Sequence, residues 1–298
     1  MTLKKILIVS GTHGNEINPV WAINQFNNQF KTIDKNIEYK FIIGNPLAYE
    51  RGCRYIDNDL NRSFNSIKKN FDNSVYEINR ANFLVNKFGV NGSEPCEIVI
   101  DLHTTTSNMG TSIVMYGRRR QDFCLAALLQ HKFGLPIYLH EKDEKQTGFL
   151  VEAWPCGIVI EIGSVAQNYY DPKIINKFLI IISSLRDEIN KLKNNQIKLP
   201  KGLIVHIHQG SIDYPRETNG NINALIHPKR MNQDWKPIKM GDPLFMDVLG
   251  KTKTYTGEDI IWPVFIGEVA YKEKNIAMSY TKKEVLNLPN QICKEFLG

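Results

Sequence analysis

Six short runs rich in isoleucine, valine and leucine, "ILIVSG", "IEYKFIIG", "EIVIDLH", "TSIVMYG", "LPIYLH" and "GIVIEIG", punctuate the first two thirds of the chain. Helical patterns separate several of them. Strand-length apolar runs alternating with amphipathic helices predict an α/β fold, a sheet covered by helices. "NPVWAINQFNNQF" offers Asn18 as N-cap with Pro19 at the first helical position. "SVYEINRANFLVNKFG" sets Ser74 and Glu77 in capping-box spacing and stops at Gly89. "QDFCLAALLQHKFG" is a third helix. A long one is expected from Asp171 and Pro172 to about Asn190, because Ile174, Phe178, Ile181, Leu185 and Ile189 recur at three- and four-residue steps.

Beyond Gln196 the texture changes to short strand signals between turns, with "NG" at 219–220 and glycines at 241, 250 and 257. This predicts a catalytic α/β domain over residues 1–195 and a smaller β-rich domain over 196–298 that contributes to the substrate pocket. Residues 44–73, "GNPLAYERGCRYIDNDLNRSFNSIKKNFDN", form one unusually long connection. Ordered loops of that length are usually functional.

Composition narrows the class. With 298 residues, 42% of them apolar, the chain can bury a real core. The opening "MTLKKILIVSG" is too short for a signal-peptide apolar region, and no apolar run approaches the ~20 residues of a transmembrane helix, so a soluble protein away from the membrane is expected. Five scattered cysteines (53, 96, 124, 156 and 293) suggest neither a disulfide framework nor a thiolate zinc site, which fits the cytoplasm. The net charge of +6 and "RRR" at 118–120 read as a solvated basic face rather than a nucleic-acid site, since the arginines lack interleaved aromatics.

In open α/β sheets ligands gather at the carboxyl ends of strands. His13 and Glu16, in the turn "GTHGNE", follow the first run; His103 ends "EIVIDLH"; Glu161 lies near the end of "GIVIEIG". Two imidazoles and a carboxylate are the ligand set of a catalytic zinc site with one position open to water. Asp101, two residues before His103, projects from the same strand face as a partner for that imidazole. Glu161 sits between Ile160 and Ile162, where burial raises a carboxylate towards the pKa of a general base. In the long loop, Asp57, Asp59 and Asn61 imitate the start of a calcium loop, but Arg62 replaces the required glycine and Lys68 the required glutamate. Arg54, Asn61 and Arg62 offer forked donors for a carboxylate or an oxyanion instead. His206 and His208 share a strand face without an evident third ligand.

The blocks "GTHGNE", "CRYIDNDLNRSF", "DLHTTTSNMG", "IDYPRETNG", "IHPKRMNQDWKPIKMGDPLF" and "PVFIGEVAYKEK", in order across nearly the whole chain, resemble the aspartoacylase family. The resemblance implies a zinc-carboxypeptidase-like fold with a mixed sheet and one Zn2+ per subunit, held by His13, Glu16 and His103. It implies Glu161 as the general base, Arg54 as the group that polarises the scissile carbonyl, and Asn61, Arg62 and Tyr271 as substrate-binding residues. The implied reaction is hydrolysis of N-acetyl-L-aspartate to acetate and L-aspartate by a homo-oligomer, with a small anionic N-acyl amino acid as the partner molecule. One departure stands out. Where the family places a second carboxylate-binding arginine, this chain has Phe149, with Lys145 as the nearby cation. An aromatic or N-succinyl amino acid derivative is therefore an alternative substrate, and a non-catalytic binding protein on the same fold a more distant one.

Overall fold

The computed structural model describes residues 4–29, 37–65, 74–141, 143, 146–289 and 293. Strands β1 (Lys4–Ser10), β2 (Ile37–Ile43), β3 (Ile98–Thr105), β4 (Thr111–Tyr116), β5 (Ile137–His140) and β6 (Cys156–Gly163) are the six predicted runs. Helices α1 (Ile17–Gln29), α2 (Pro46–Arg51), α3 (Tyr76–Phe88), α4 (Arg120–Phe133) and α5 (Pro172–Lys193) connect them. The C-terminal part adds β7 (Gly202–Ile212), β8 (Ala224–Ile226), β9 (Pro243–Asp247), β10 (Thr252–Thr254), β11 (Trp262–Val264) and β12 (Met278–Asn287).

The main sheet runs β11-β12-β7-β5-β4-β6-β3-β1-β2. It is mixed, as the resemblance implied: β1, β2, β3 and β6 are parallel neighbours, whereas β4 is antiparallel to β6 and β12 antiparallel to β7 and β11. Residues alternate between its faces. Ile6 and Ile8 of β1 join the core under α1, α4 and α5, while Leu7 and Val9 face Ala81, Leu84 and Phe88 of α3. The α5 residues predicted to face inward are all buried, Phe178 completely. Burial of that one ring contributes roughly 2–3 kcal/mol.

Several local expectations are corrected. The smaller β-rich part is not separate from the main sheet throughout: β7 and β12 extend that sheet past residue 196 through the parallel pairing of β5 with β7. The three-stranded sheet β10-β9-β8 stands apart, in a smaller β-rich region. Helix α1 begins at Ile17 instead of being capped by Asn18, whose side chain donates to the Tyr169 carbonyl and accepts from the Asp171 amide. The Ser74–Glu77 capping box does not form, since Asp57 takes the Tyr76 amide and Glu77 turns to the long loop. The arginine run is no uniform solvated face. Arg118 pairs with Glu141 at the surface, but Arg119 staples Asp122 to the carbonyls of Val151, Trp154 and Gly157. Cys124 and Cys293 are disulfide-bonded; 169 residues separate them, so spacing gave no hint of the pairing. No helix among the described residues is long and apolar enough to cross a membrane.

Candidate metal centre and substrate cavity

The turn after β1 is shaped by two glycines. Gly11 adopts a left-handed φ of 61°, and a Cβ on Gly14 would lie 2.1–2.3 Å from the backbone of Ala48 and Tyr49, so only glycine fits. The Gly14 amide donates to the Arg54 carbonyl (3.1 Å), which joins this turn to the long loop. That loop is held from below by buried Glu77, whose carboxylate accepts from the amides of Ile56, Asp57 and Asn58 and from the Asn45 side chain. The described part of the loop, residues 44–65, is thus braced, and it delivers Asp59 and Arg54 to His13 and Glu16. Lys68 and Lys145 lie outside the described residues.

His13, Glu16 and His103 converge, with candidate ligand atoms within 4.8 Å of one another and all three side chains buried. Glu16 Oε1 lies 2.7 Å from His13 Nδ1 and Oε2 lies 3.0 Å from His103 Nδ1. Each imidazole is held from behind. His103 Nε2 donates to Asp101 (2.7 Å), itself fixed by the Thr12 hydroxyl (2.7 Å), and His13 Nε2 donates to Asp59 (3.0 Å). Both nitrogens of each imidazole thus face a carboxylate, and with the proton on Nε2, towards Asp59 or Asp101, each neutral imidazole would turn an Nδ1 lone pair inward. Two lone pairs then face a carboxylate. That donor set fits a dication such as zinc, the neutral imidazoles and Glu16 as ligands and Asp59 and Asp101 as their supports.

Burial would raise Glu16 and lower His103, yet the attraction between the imidazoles and the carboxylates around them holds Glu16 well below the usual carboxylate range and His103 well above the usual imidazole range. Asp59 is likewise held low against burial by His13 and Arg54. Glu161 behaves in the opposite way. Burial lifts it well above the ordinary range, with Glu16 and Glu268 adding and His103 opposing. The parallel register sets Glu161 directly beside His103, so the strand pairing alone positions this carboxyl next to the triad.

All eight residues singled out by resemblance, His13, Glu16, Arg54, Asn61, Arg62, His103, Glu161 and Tyr271, line one cavity. Arg54 approaches Glu16 (3.5 Å) and donates to Asp59 (3.3 Å). Arg62 donates to the Asn61 carbonyl and to Gln146, and its guanidinium lies 4.0 Å from the centre of the Phe149 ring. Phe149 also stacks on Tyr116 at 3.8 Å. Burial raises the phenols of Tyr116, Tyr138 and Tyr271, which therefore stay neutral. Burial, helped by His208, pushes His140 down to about 4, with Asp143 and the Gln146 carbonyl opposing.

Sequence reasoning missed four contributors. Asp59 was weighed only as a calcium ligand, although a third carboxylate near two histidines is the signal of a support residue. Glu268 accepts from the Thr105 hydroxyl and the Thr106 amide and so anchors the Tyr271 segment to the end of β3. Tyr138 and His140 read as core strand residues, yet both line the cavity. His206 and His208 do not join the triad: His206 packs against Trp235 and Trp262, and His208 bonds Tyr138.

Residues 2–189 match the succinylglutamate desuccinylase/aspartoacylase catalytic domain, and residues 201–283 the AstE/AspA barrel-sandwich hybrid domain. A "probable aspartoacylase" of Prochlorococcus marinus subsp. pastoris is 84% identical over the full length of both chains, and one from another strain of the species is 46% identical over 96% of this chain and 95% of that one. Among solved structures, murine aminoacylase 3 is 28% identical, with a TM-score of 0.87 over 97% of this chain and 98% of that chain. Succinylglutamate desuccinylase from Vibrio cholerae shares the fold at 15% identity, with a TM-score of 0.65 over 96% and 85%. The chain belongs to the succinylglutamate desuccinylase/aspartoacylase family.

Proposed function

We propose that this protein is a zinc-dependent amidohydrolase that cleaves the linear amide of N-acyl-L-amino acids, with N-acetyl-L-aspartate as the reference substrate. The observation that carries the reading is the meeting, in one cavity, of an inward-facing His13–Glu16–His103 donor set with a buried carboxyl, Glu161, in register beside it. The names of its relatives support the same chemistry. His13, Glu16 and His103 would hold the zinc, which supplies a water acidic enough to lose a proton near neutral pH.

The remaining work belongs to the protein's own side chains. Glu161, its pKa raised by burial, takes a proton from the attacking water and returns it to the departing amine. Arg54 stands ready to donate to the oxygen on which negative charge develops. Asn61, Arg62 and Tyr271 orient the substrate carboxylate. The enclosing aromatic side chains exclude bulk water.

A second reading, hydrolysis of N-acetyl aromatic amino acids, is favoured by the Phe149–Tyr116 stack in the cavity lining. Acetate release from N-acetyl-L-aspartate and N-acetyl-L-tyrosine, measured on chelated and zinc-restored protein, separates the two. Zinc-dependent release from the aspartate derivative supports the first, release from the tyrosine derivative alone the second. Silence on both, and on N-succinyl amino acids, sinks the amidohydrolase reading.

A further inference from the structure

Asn61, Arg62 and Tyr271 account for one carboxylate of an N-acyl amino acid. A second, on an acidic side chain, finds neutral rings beside Arg62, Phe149 stacked on Tyr116. The segment that carries Tyr271 offers a cation instead. Residues Val269–Lys274 form a 3₁₀ turn fastened near both ends. The Val269 amide donates to the Thr106 hydroxyl just beyond β3 (3.0 Å), and Glu273 accepts from the Tyr55 hydroxyl of the long loop (3.0 Å). Lys274 closes this turn, and its exposed side chain lines a second cavity with Asp143, Gln146 and His208. Gln146 lines both cavities and accepts from Arg62 (3.4 Å), so the two cavities meet at the Arg62 corner.

Charge is felt across that corner. Burial among these neighbours, then the Arg62 guanidinium, pushes the Lys274 ammonium down to about 8, with Arg54 adding and Asp59 and Asp143 opposing. It remains mostly protonated at neutral pH. The two opposing carboxylates are engaged elsewhere: Asp59 accepts from His13 and Arg54, and Asp143 from the Gln146 side chain. Lys274 itself closes no hydrogen bond or ion pair with a described residue. A cation held near two guanidinium groups without a counter-charge of its own is stabilised by an arriving anion.

We propose that Lys274 binds the side-chain carboxylate of an acidic N-acyl amino acid, supplying from the rim turn the second cation that the Phe149 position lacks. The inference rests on the amidohydrolase reading for its substrate class. Tyr271 and Lys274 share one turn, so the segment that orients the first carboxylate also places the group for the second. A solvated rim lysine would act through long-range attraction on every anionic substrate alike. A contact acts only on the substrate that carries the second carboxylate, by a charge-assisted hydrogen bond.

The test compares N-acetyl-L-aspartate with N-acetyl-L-asparagine, which has nearly the same shape and keeps only the first carboxylate. In zinc-loaded Lys274→Met, KM for the aspartate derivative is expected to rise about five- to tenfold with kcat nearly unchanged, while both constants for the asparagine derivative stay put. Lys274→Arg, which restores a cation, should recover most of the loss. An equal rise in KM for both compounds, or no change for either, overturns the proposal. Calorimetric binding of the two compounds to zinc-loaded protein carrying Glu161→Gln, with and without Lys274→Met, reads the same contact without turnover. A preference for aspartate that vanishes with Lys274, in a protein whose wild type hydrolyses no N-acyl amino acid, would sink the amidohydrolase reading and leave this one standing; equal binding of the two compounds with Lys274 in place overturns this one.

Discussion

One part of the cavity lining gathers charge and the other sheds it. Around His13 and His103 stand three carboxylates, Glu16, Asp59 and Asp101, each within hydrogen-bond distance of an imidazole nitrogen. Around Phe149 stand Tyr116, Tyr138 and His140, all held neutral by burial, with the Arg62 guanidinium over the Phe149 ring. The first set comes from strand ends and a glycine turn braced by a loop, so its geometry is fixed by backbone. The second comes from β4, β5 and the segment before β6, and its geometry is fixed by ring packing. The difference teaches which property each part controls: the charged set suits the chemistry of the bond, the neutral set the choice of substrate.

Two substitutions sharpen or break that division. Asp59→Asn removes the carboxylate behind His13 while keeping its size; zinc affinity is expected to fall about 10- to 100-fold, read by competition with a chromophoric chelator. Unchanged affinity would show that His13 needs no support from the loop. Phe149→Arg adds a second cation beside Arg62 and should raise the aspartate-to-tyrosine ratio of kcat/KM by about tenfold, with zinc content unaltered. A ratio that does not move would detach Phe149 from selectivity.

The smallest expected effect concerns acid stability. Burial holds His206 at about 4, with Lys283 adding to the shift, while an unfolded histidine titrates near 6.5. Between those values the unfolded chain binds the proton and the folded one does not. The stability contributed by neutral His206 is therefore present above about pH 6.5 and lost as pH falls through about 4. His206→Phe should lessen the loss between pH 7.5 and pH 5 by roughly 1–2 kcal/mol in urea unfolding. An equal loss in variant and wild type would assign the acid sensitivity to other groups.

Much of this was legible in the sequence, for physical reasons. Strands buried on both faces must be apolar throughout, so β1, β3 and β6 announced themselves, and polar residues at their carboxyl ends marked the cavity. Glu161 stood out because a carboxylate among isoleucines is costly. Contributors supplied by distant sequence were not legible. Asp59 reaches His13 only because Glu77 folds the loop beneath it, and Glu268 reaches Thr105 across 163 residues. The continuation of the sheet through β7 and β12 was hidden by turn-rich neighbours. The Cys124–Cys293 bond was hidden by separation alone.

The central claim is that Glu161 performs proton transfer beside a zinc that other residues hold. Its most direct test is Glu161→Ala, with zinc content and turnover measured on the same sample. The account predicts one zinc per chain and a rate reduced by about 10²- to 10⁴-fold on whichever N-acyl amino acid the wild type cleaves. Undiminished turnover with zinc in place would contradict it.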